Sequence, residues 1–588
     1  MILKRRVLIV AAIVMLLLAG LLYRLADIQM IHTESFSSKK VNLIEESVRQ
    51  RTQVMILDQG RGRFVDRHGE ALTHDYFPSL ILFPFLKYID WPIEEVASIL
   101  KINENVLVET VNSISEPVAF GNPKPMPLTE QQMTMINELK IPGVFAVYRQ
   151  SRVEDLVAEH LIGIVRENKD EVLKRYPEKV KEENLSVHTP VGILGLQKVF
   201  DEFLLPEGES KLLYHVDNRG GPLFGIDVKY TAPANPYYPI SVQTTIDKRM
   251  QEAFESIATK KGLTRGGVIV LDIDTNEVLA MVSKPTLNQV DPYSNLGAYN
   301  YLLETQIPGS VFKTVIAAAA IEQNIIESER LFDCDLNLYG EKDEKHQLGK
   351  LTFEDSFAQS CNYTFSTLAN ELMKENPTII EEYASKLGLV QPVGWVGDVF
   401  HFQQFEQLPV NKKGQIWKES YDKSAPKAIA QTAIGQKEVR VTPLAVANMM
   451  ATIARGGEKE QVRVVSKILY KNGTTLFNFP NQSLDGDTVA PYTAMKLQQL
   501  LRKVVEDDKG TGRRFQALET EVSGKSGTAE TGRVDTNGRP LVNKWFAGYF
   551  PSSKPKYAMV VVELEVLEFN TVANDVYYEL VKEMTRLN

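Results

Sequence analysis

The longest unbroken apolar run in the chain, VLIVAAIVMLLLAGLLY at residues 7–23, follows Lys4, Arg5 and Arg6 and gives way to Arg24 and Asp27. At helical rise it covers roughly 25 Å, slightly less than a hydrocarbon core, and Tyr23 with a snorkelling Arg24 makes up the difference. No small-x-small site follows the run cleanly and no cysteine beside it offers a lipid attachment point, so it reads as an uncleaved membrane anchor and not as a signal peptide. Positive charge on its N-terminal side puts residues 1–6 in the cytoplasm and everything after Arg24 outside.

Beyond the anchor the pattern breaks into short periods. In RGRFVDRHGEALT (residues 61–73) the apolar Phe64 and Val65, the turn at His68 and Gly69, and a second apolar stretch predict a hairpin. PKPMPLTEQQM gives a loop at 123–127 and a helix capped by Thr129, while GILGLQKVFDEFL (192–204) carries apolar residues at helical spacing. TAPANPYYPI (231–240) is proline-rich and reads as a linker. After it, SVQTTIDKRMQEAFESIA predicts a strand and an amphipathic helix. GGVIVLDIDTNEVLAMVSKP (266–285) predicts two strands around a turn at 274–276. KWFAGYFP and KYAMVVVELEV supply two more strands, and the last twenty or so residues a helix. Strands at both ends of a mostly helical middle predict an α+β fold in which the termini close the sheet. The division expected is 1–6 tail, 7–23 transmembrane anchor, 24–240 stalk and 241–588 the domain that carries chemistry.

Length supports several units, since 588 residues exceed a single core. A net charge of −9 with no basic stripe argues against nucleic acid as a partner. The two cysteines, Cys334 and Cys361, form no CxxC pair and no metal-ligand cluster with histidine, so no metal and no cofactor is expected.

Chemistry is concentrated in three short motifs of the C-terminal half. In IPGSVFKTVIAAAAIE, Ser310 and Lys313 open a helix-favouring run and share one face three residues apart. A neutral lysine can take the proton of a serine nucleophile. Lysine is ordinarily protonated at neutral pH, so burial beside a second cation is required. Ser-x-x-Lys alone is weak evidence: it also starts at Ser37, Ser420, Ser424 and Ser553, all in polar stretches. The signal strengthens with Ser360-Cys361-Asn362 in FAQSCNYTF and Lys525-Ser526-Gly527-Thr528 in EVSGKSGTAET, where alternation predicts a strand. Together they match the order of motifs in penicillin-binding proteins and class A β-lactamases.

From the anchor to the last strand the chain resembles the class B penicillin-binding proteins. RGRFVDRHG (61–69) is similar to the family's RGxIxDRxG box, with Phe64 and His68 in place of Ile and Asn. Residues 192–201 are similar to GxxGLExxYD, and 435–444 to GQG..TPL with Lys437 replacing a glycine. The resemblance implies an antiparallel sheet flanked by helices plus a helical subdomain, set on an elongated α+β stalk. It implies a peptidoglycan D,D-transpeptidase at the outer face of a bacterial cytoplasmic membrane. Ser310 would be the acylated nucleophile and Lys313 its base. Ser360 and Asn362 would relay the proton to the leaving amine and hold the substrate amide. Lys525 would lower the pKa of Lys313 and draw in the peptide carboxylate. Ser526, Gly527 and Thr528 would bind the substrate, Thr528 through its hydroxyl and Gly527 by leaving room for the peptide backbone. Backbone N–H groups of Ser310 and Thr528 would form the oxyanion hole. Implied partners are D-alanyl-D-alanine stem peptides, β-lactams that mimic them, and a peptidoglycan glycosyltransferase.

Cys361 is expected to pack away from the cleft as a small buried residue. The alternative is a Cys334–Cys361 disulfide that displaces the SCN loop and silences the enzyme. Rival functions are a D,D-carboxypeptidase or β-lactamase, disfavoured by the long stalk and the lack of an evident deacylating carboxylate. A β-lactam sensor would carry several spanning helices where hydropathy gives one, and a scaffold without turnover would have decayed motifs.

Overall fold

The computed structural model of the protein describes residues 2–121, 124–182, 184–216, 228–327, 329–344 and 347–587. Met1 of the expected tail and Pro123 of the expected 123–127 loop lie outside them. The chain divides into two compact units, one of Met1–Gly60, Asp75–Ser151 and Pro206–Pro236, the other of Arg61–His74, Arg152–Leu205 and Tyr237–Asn588.

In the first unit, helix Ile2–Ala26 runs into a π-helical turn at Asp27–Ile31, and Leu3–Ile31 is long and apolar enough to cross a membrane. Its leucines stand exposed all round, as suits a helix solvated by lipid rather than packed on a core. Strand Thr52–Asp58 pairs antiparallel with Ser210–His215, which pairs with Lys229–Thr231. Helix Glu130–Glu138 starts at the expected cap: Thr129 accepts from the Gln132 amide and the Gln132 side chain reaches back to Thr129.

The second unit is organised by one sheet. Gly266–Asp272 (β1) and Val278–Lys284 (β2) form the expected hairpin, and Ser523–Val534 (β3), Pro540–Phe550 (β4) and Tyr557–Leu567 (β5) complete an antiparallel sheet ordered β2-β1-β5-β4-β3. Alternation along the strands gives it two apolar faces. Phe546, Met559 and Val561 face helices Lys248–Lys260 and Val572–Leu587, through Phe254, Tyr577 and Leu580. Trp545, Ala547 and Val562 face the other core, which holds helices Lys313–Glu322 and Pro443–Ala454. The alanines at 317–320 are fully buried; their small size lets neighbouring helices close in on the one that follows Ser310.

Two local expectations are only partly met. Residues 61–73 turn back at His68 and Gly69 as a short hairpin, with the Asp66 amide donating to the Glu70 carbonyl and the Leu72 amide to the Phe64 carbonyl, but the first arm also takes a partner that the local pattern does not predict. Arg63–Val65 pairs in parallel with Ser241–Thr244, and the return arm is reduced to a single bridge between Val65 and Ala71. Phe64 and Val65 are both buried, so this short strand is covered on both faces and takes a partner distant in sequence. Residues 192–204 are not one helix. Helices Gly195–Val199 and Asp201–Leu204 break at Phe200, where the buried Asp201 carboxylate accepts from the Gly192 amide and from Arg61, both at 2.7 Å.

Candidate active site

Ser310 lies in a 3-10 turn, Gly309–Phe312, that leads directly into helix Lys313–Glu322. Gly309 and Val311 are buried, while Ser310 is partly open. The turn is held from two sides. Trp545 Nε1 on β4 donates to the carbonyl of Ile307 at 3.0 Å, and the Gly309 amide donates to the carbonyl of Gly435 at 3.0 Å. Gly309 has φ +56°, and a Cβ there would come within 2.4 Å of the Thr528 carbonyl oxygen, so only glycine lets the serine turn lie against β3. Gly527 serves the same contact from the other strand. A Cβ on it would meet the Pro308 carbonyl at 2.7 Å and Val311 at 3.0 Å, so its missing side chain faces the serine turn.

Lys313 is fully buried, and its ammonium donates to the Ser360 carbonyl at 2.7 Å, to Ser360 Oγ at 3.1 Å and to Asn362 Oδ1 at 2.7 Å. All three donors are thereby used, and among the described residues no hydrogen bond joins Lys313 Nζ to Ser310 Oγ. Such contacts in unliganded enzymes often close only with substrate. Lys525, also fully buried, donates to Ser360 Oγ at 3.0 Å and to its neighbour's carbonyl, Ser526, at 3.1 Å. One hydroxyl therefore bridges two buried amines. The Phe365 ring centroid lies 5.6 Å from Lys313 Nζ and the Phe357 ring centroid 5.8 Å from Lys525 Nζ.

No carboxylate lies within 4 Å of either amine among the described residues. Burial, reinforced by the neighbouring Lys525 charge, holds Lys313 well below the usual lysine range. Burial alone brings Lys525 down to about 7. Two ammonium groups without counter-ions in one apolar pocket disfavour double protonation, so a neutral amine is available near neutral pH.

Ser360 takes a left-handed backbone conformation, φ +62°, unusual for a residue with a side chain. It follows helix Phe353–Gln359, and Cys361 is the N-cap of helix Asn362–Glu375. Both alternatives for Cys361 find a partial answer: it is buried, and it is disulfide-bonded to Cys334. The expected displacement of the SCN loop by that bond does not occur, because Ser360 and Asn362 keep their bonds to Lys313 with the disulfide in place. Asn362 and Thr528 are exposed.

On β3, Lys525 and Gly527 face the serine side, opposite Ala547 and Trp545, while Ser526 and Thr528 alternate to the other. Ser526 Oγ donates to Thr511 Oγ1 at 2.8 Å, and Lys544 Nζ donates to Thr528 Oγ1 at 3.2 Å. Sequence reasoning passed over Thr511, Lys544, Trp545 and the phenylalanines. Only Lys544 carried a signal, as a charged residue inside an otherwise apolar strand. Lys437, where a glycine was expected, adopts the left-handed conformation itself, φ +57°, and its ammonium pairs with Asp422. The loop geometry that glycine would favour is thus kept.

Ser310 on its turn, Lys313 one helical turn on, and Lys525 reaching from β3 to the Ser360 hydroxyl that Lys313 also contacts are an arrangement suited to serine-type acyl transfer. The chain belongs to the class B penicillin-binding proteins: the penicillin binding protein transpeptidase domain matches residues 266–581, and the penicillin-binding protein dimerisation domain matches 57–234. It is similar to peptidoglycan D,D-transpeptidase MrdA of Haemophilus influenzae, 23% identical over 600 residues that cover 94% of this chain and 87% of that one. Peptidoglycan D,D-transpeptidase FtsI of Escherichia coli is 22% identical over 93% of this chain and 85% of its own. Its fold is similar to that of a chain from a peptidoglycan synthase complex studied for coordinated polymerization and crosslinking, with a TM-score of 0.62, 21% identity and coverage of 99% and 97%.

Proposed function

We propose that the protein is a peptidoglycan D,D-transpeptidase that works through an acyl-enzyme on Ser310. Neutral Lys313 takes the Ser310 hydroxyl proton as Oγ attacks the carbonyl of the penultimate D-alanine of a stem peptide. The peptide bond breaks, and the terminal D-alanine leaves as its amine takes a proton delivered through Ser360, whose hydroxyl contacts both Lys313 and Lys525. An acceptor amine then attacks the Ser310 ester, the serine oxygen regains a proton, and a new peptide bond forms. Asn362 holds the substrate amide, and the backbone N–H groups of Ser310 and Thr528 receive the oxyanion. β3 is the edge strand of its sheet and is suited to an extended peptide added alongside it, with Thr528 and Lys525 at the terminal carboxylate.

The observation that carries this reading is the Ser360 hydroxyl shared by two buried, counter-ion-free lysines beside the Ser310 turn. Residues 24–240 would act as the stalk and 241–588 as the transpeptidase domain, the latter outside the membrane given the basic residues before the first helix. As class B proteins polymerise no glycan, a glycosyltransferase partner is proposed, in keeping with the similar chain in a peptidoglycan synthase complex. Fluorescent penicillin should label the wild type on the peptide containing Ser310 and leave Ser310→Ala unlabelled. Label recovered on another peptide would refute the assignment.

A further inference from the structure

Lys544 stands at a position that the proposed chemistry does not require. It lies on β4 directly opposite Thr528 of the edge strand. It is half-buried while Thr528 is exposed, and its Nζ is 3.2 Å from Thr528 Oγ1. An ammonium has donors and no acceptor, so Thr528 Oγ1 is the acceptor in this bond. The hydroxyl proton of Thr528 is then directed elsewhere, free to be donated to an arriving anion. Across the next strand Lys544 is in register with Glu563, a buried residue whose carboxyl burial pushes up to about 7. The two form no ion pair: among the described residues no carboxylate oxygen lies within 4 Å of Lys544 Nζ. Glu568 acts on it only at longer range, and burial holds Lys544 below the usual lysine range. A cation in that condition gains from an anion brought close to it.

We propose that Lys544 is a positioning residue for the terminal carboxylate of the donor peptide, fixing the Thr528 hydroxyl as a donor and adding a positive charge behind it. This rests on the transpeptidase reading above and assigns a specificity role to a residue outside the three motifs. It makes the site selective for donors that end in a free carboxylate.

The test uses two acyl thioesters that differ only at the leaving group, a thioglycolate with a free carboxylate and its methyl ester. The full-length protein is assayed as wild type, Lys544→Met and Lys544→Arg. The readout is the ratio of kcat/KM for acid over ester, in which any loss of folded enzyme cancels. Lys544→Met should lower this ratio about tenfold, chiefly through KM on the acid, and Lys544→Arg should restore most of it. An unchanged ratio in Lys544→Met overturns the role of Lys544 and leaves the transpeptidase reading intact. Wild type that turns over neither thioester and takes no penicillin on Ser310 overturns that reading, and this proposal with it.

Discussion

Two clusters of buried cations in the same compact unit are treated in opposite ways. At the break between the short helices, Arg61 (7% exposed) donates to Asp201 (1% exposed) at 2.7 Å, and Arg175 approaches the same carboxylate at 3.0 Å. Tyr176 and the Gly192 amide add further donors to it, at 2.8 and 2.7 Å. Around Ser310, Lys313 and Lys525 are buried more completely and receive only hydroxyl, amide and carbonyl oxygens. The first arrangement pairs each charge with an opposite one. The second withholds a counter-ion from a group that can lose its proton, which is what a base requires. Residue choice follows the same logic: arginine stays charged whatever its surroundings, and lysine does not.

The comparison can be broken most sharply at Lys313. Lys313→Arg puts a permanent cation where the account needs a neutral amine, so penicillin acylation should fall by about a thousandfold or more, measured as second-order labelling rate, while the melting transition persists. The converse holds at the paired cluster. Asp201→Ala leaves two arginines without their carboxylate and should cost about 3–5 kcal/mol of stability in denaturant titration, with the acylation rate of the remaining folded protein nearly unchanged.

A third change reads the withheld counter-ion as a pH effect. Lys525 has a folded pKa of about 7, below its ordinary 10.5, so the unfolded chain binds more protons between those values. Stability from this group is therefore fully present above about pH 10.5 and lost as pH falls through 7. Relative to Lys525→Met, the wild type should gain up to about 1.4 kcal/mol per pH unit across that window. Glu563, raised to about 7 from 4.5, acts in the separate window below it and with the opposite sign: its contribution is lost as pH rises through 7.

The smallest effect concerns the covalent tether. The Cys334–Cys361 bond holds the residue after the left-handed Ser360, so its reduction should slow acylation about three- to tenfold and lower the melting temperature. Acceleration on adding dithiothreitol would instead favour the silencing role considered from sequence alone.

Much of this is legible in the sequence. The hairpin of β1 and β2, the terminal strands and helix, the Thr129 cap and the three motifs rest on local periodicity or on residue types with one strong use. What escaped was non-local. The parallel pairing of Arg63–Val65 with Ser241–Thr244 joins segments far apart in sequence, and no local pattern specifies it. The break at Phe200 follows from Asp201 satisfying Gly192 and Arg61, an electrostatic demand that helical spacing does not record. The close approach of Gly527 to Pro308, on a loop some two hundred residues earlier, is non-local as well. Lys544 has meaning only once β3 and β4 are in register.

The most direct measurement gives the active-site lysine the counter-ion it lacks. Asn362 Oδ1 is 2.7 Å from Lys313 Nζ, so Asn362→Asp places a carboxylate at that oxygen without a change in size. The rate of penicillin acylation is then followed from acid to alkaline pH in wild type and variant. A lysine stabilised as its ammonium should shift the rising limb of the variant upward by at least about one pH unit, whatever happens to its plateau. A rising limb at the wild-type position would contradict the claim that it reports Lys313 losing its proton in a buried site without a counter-ion.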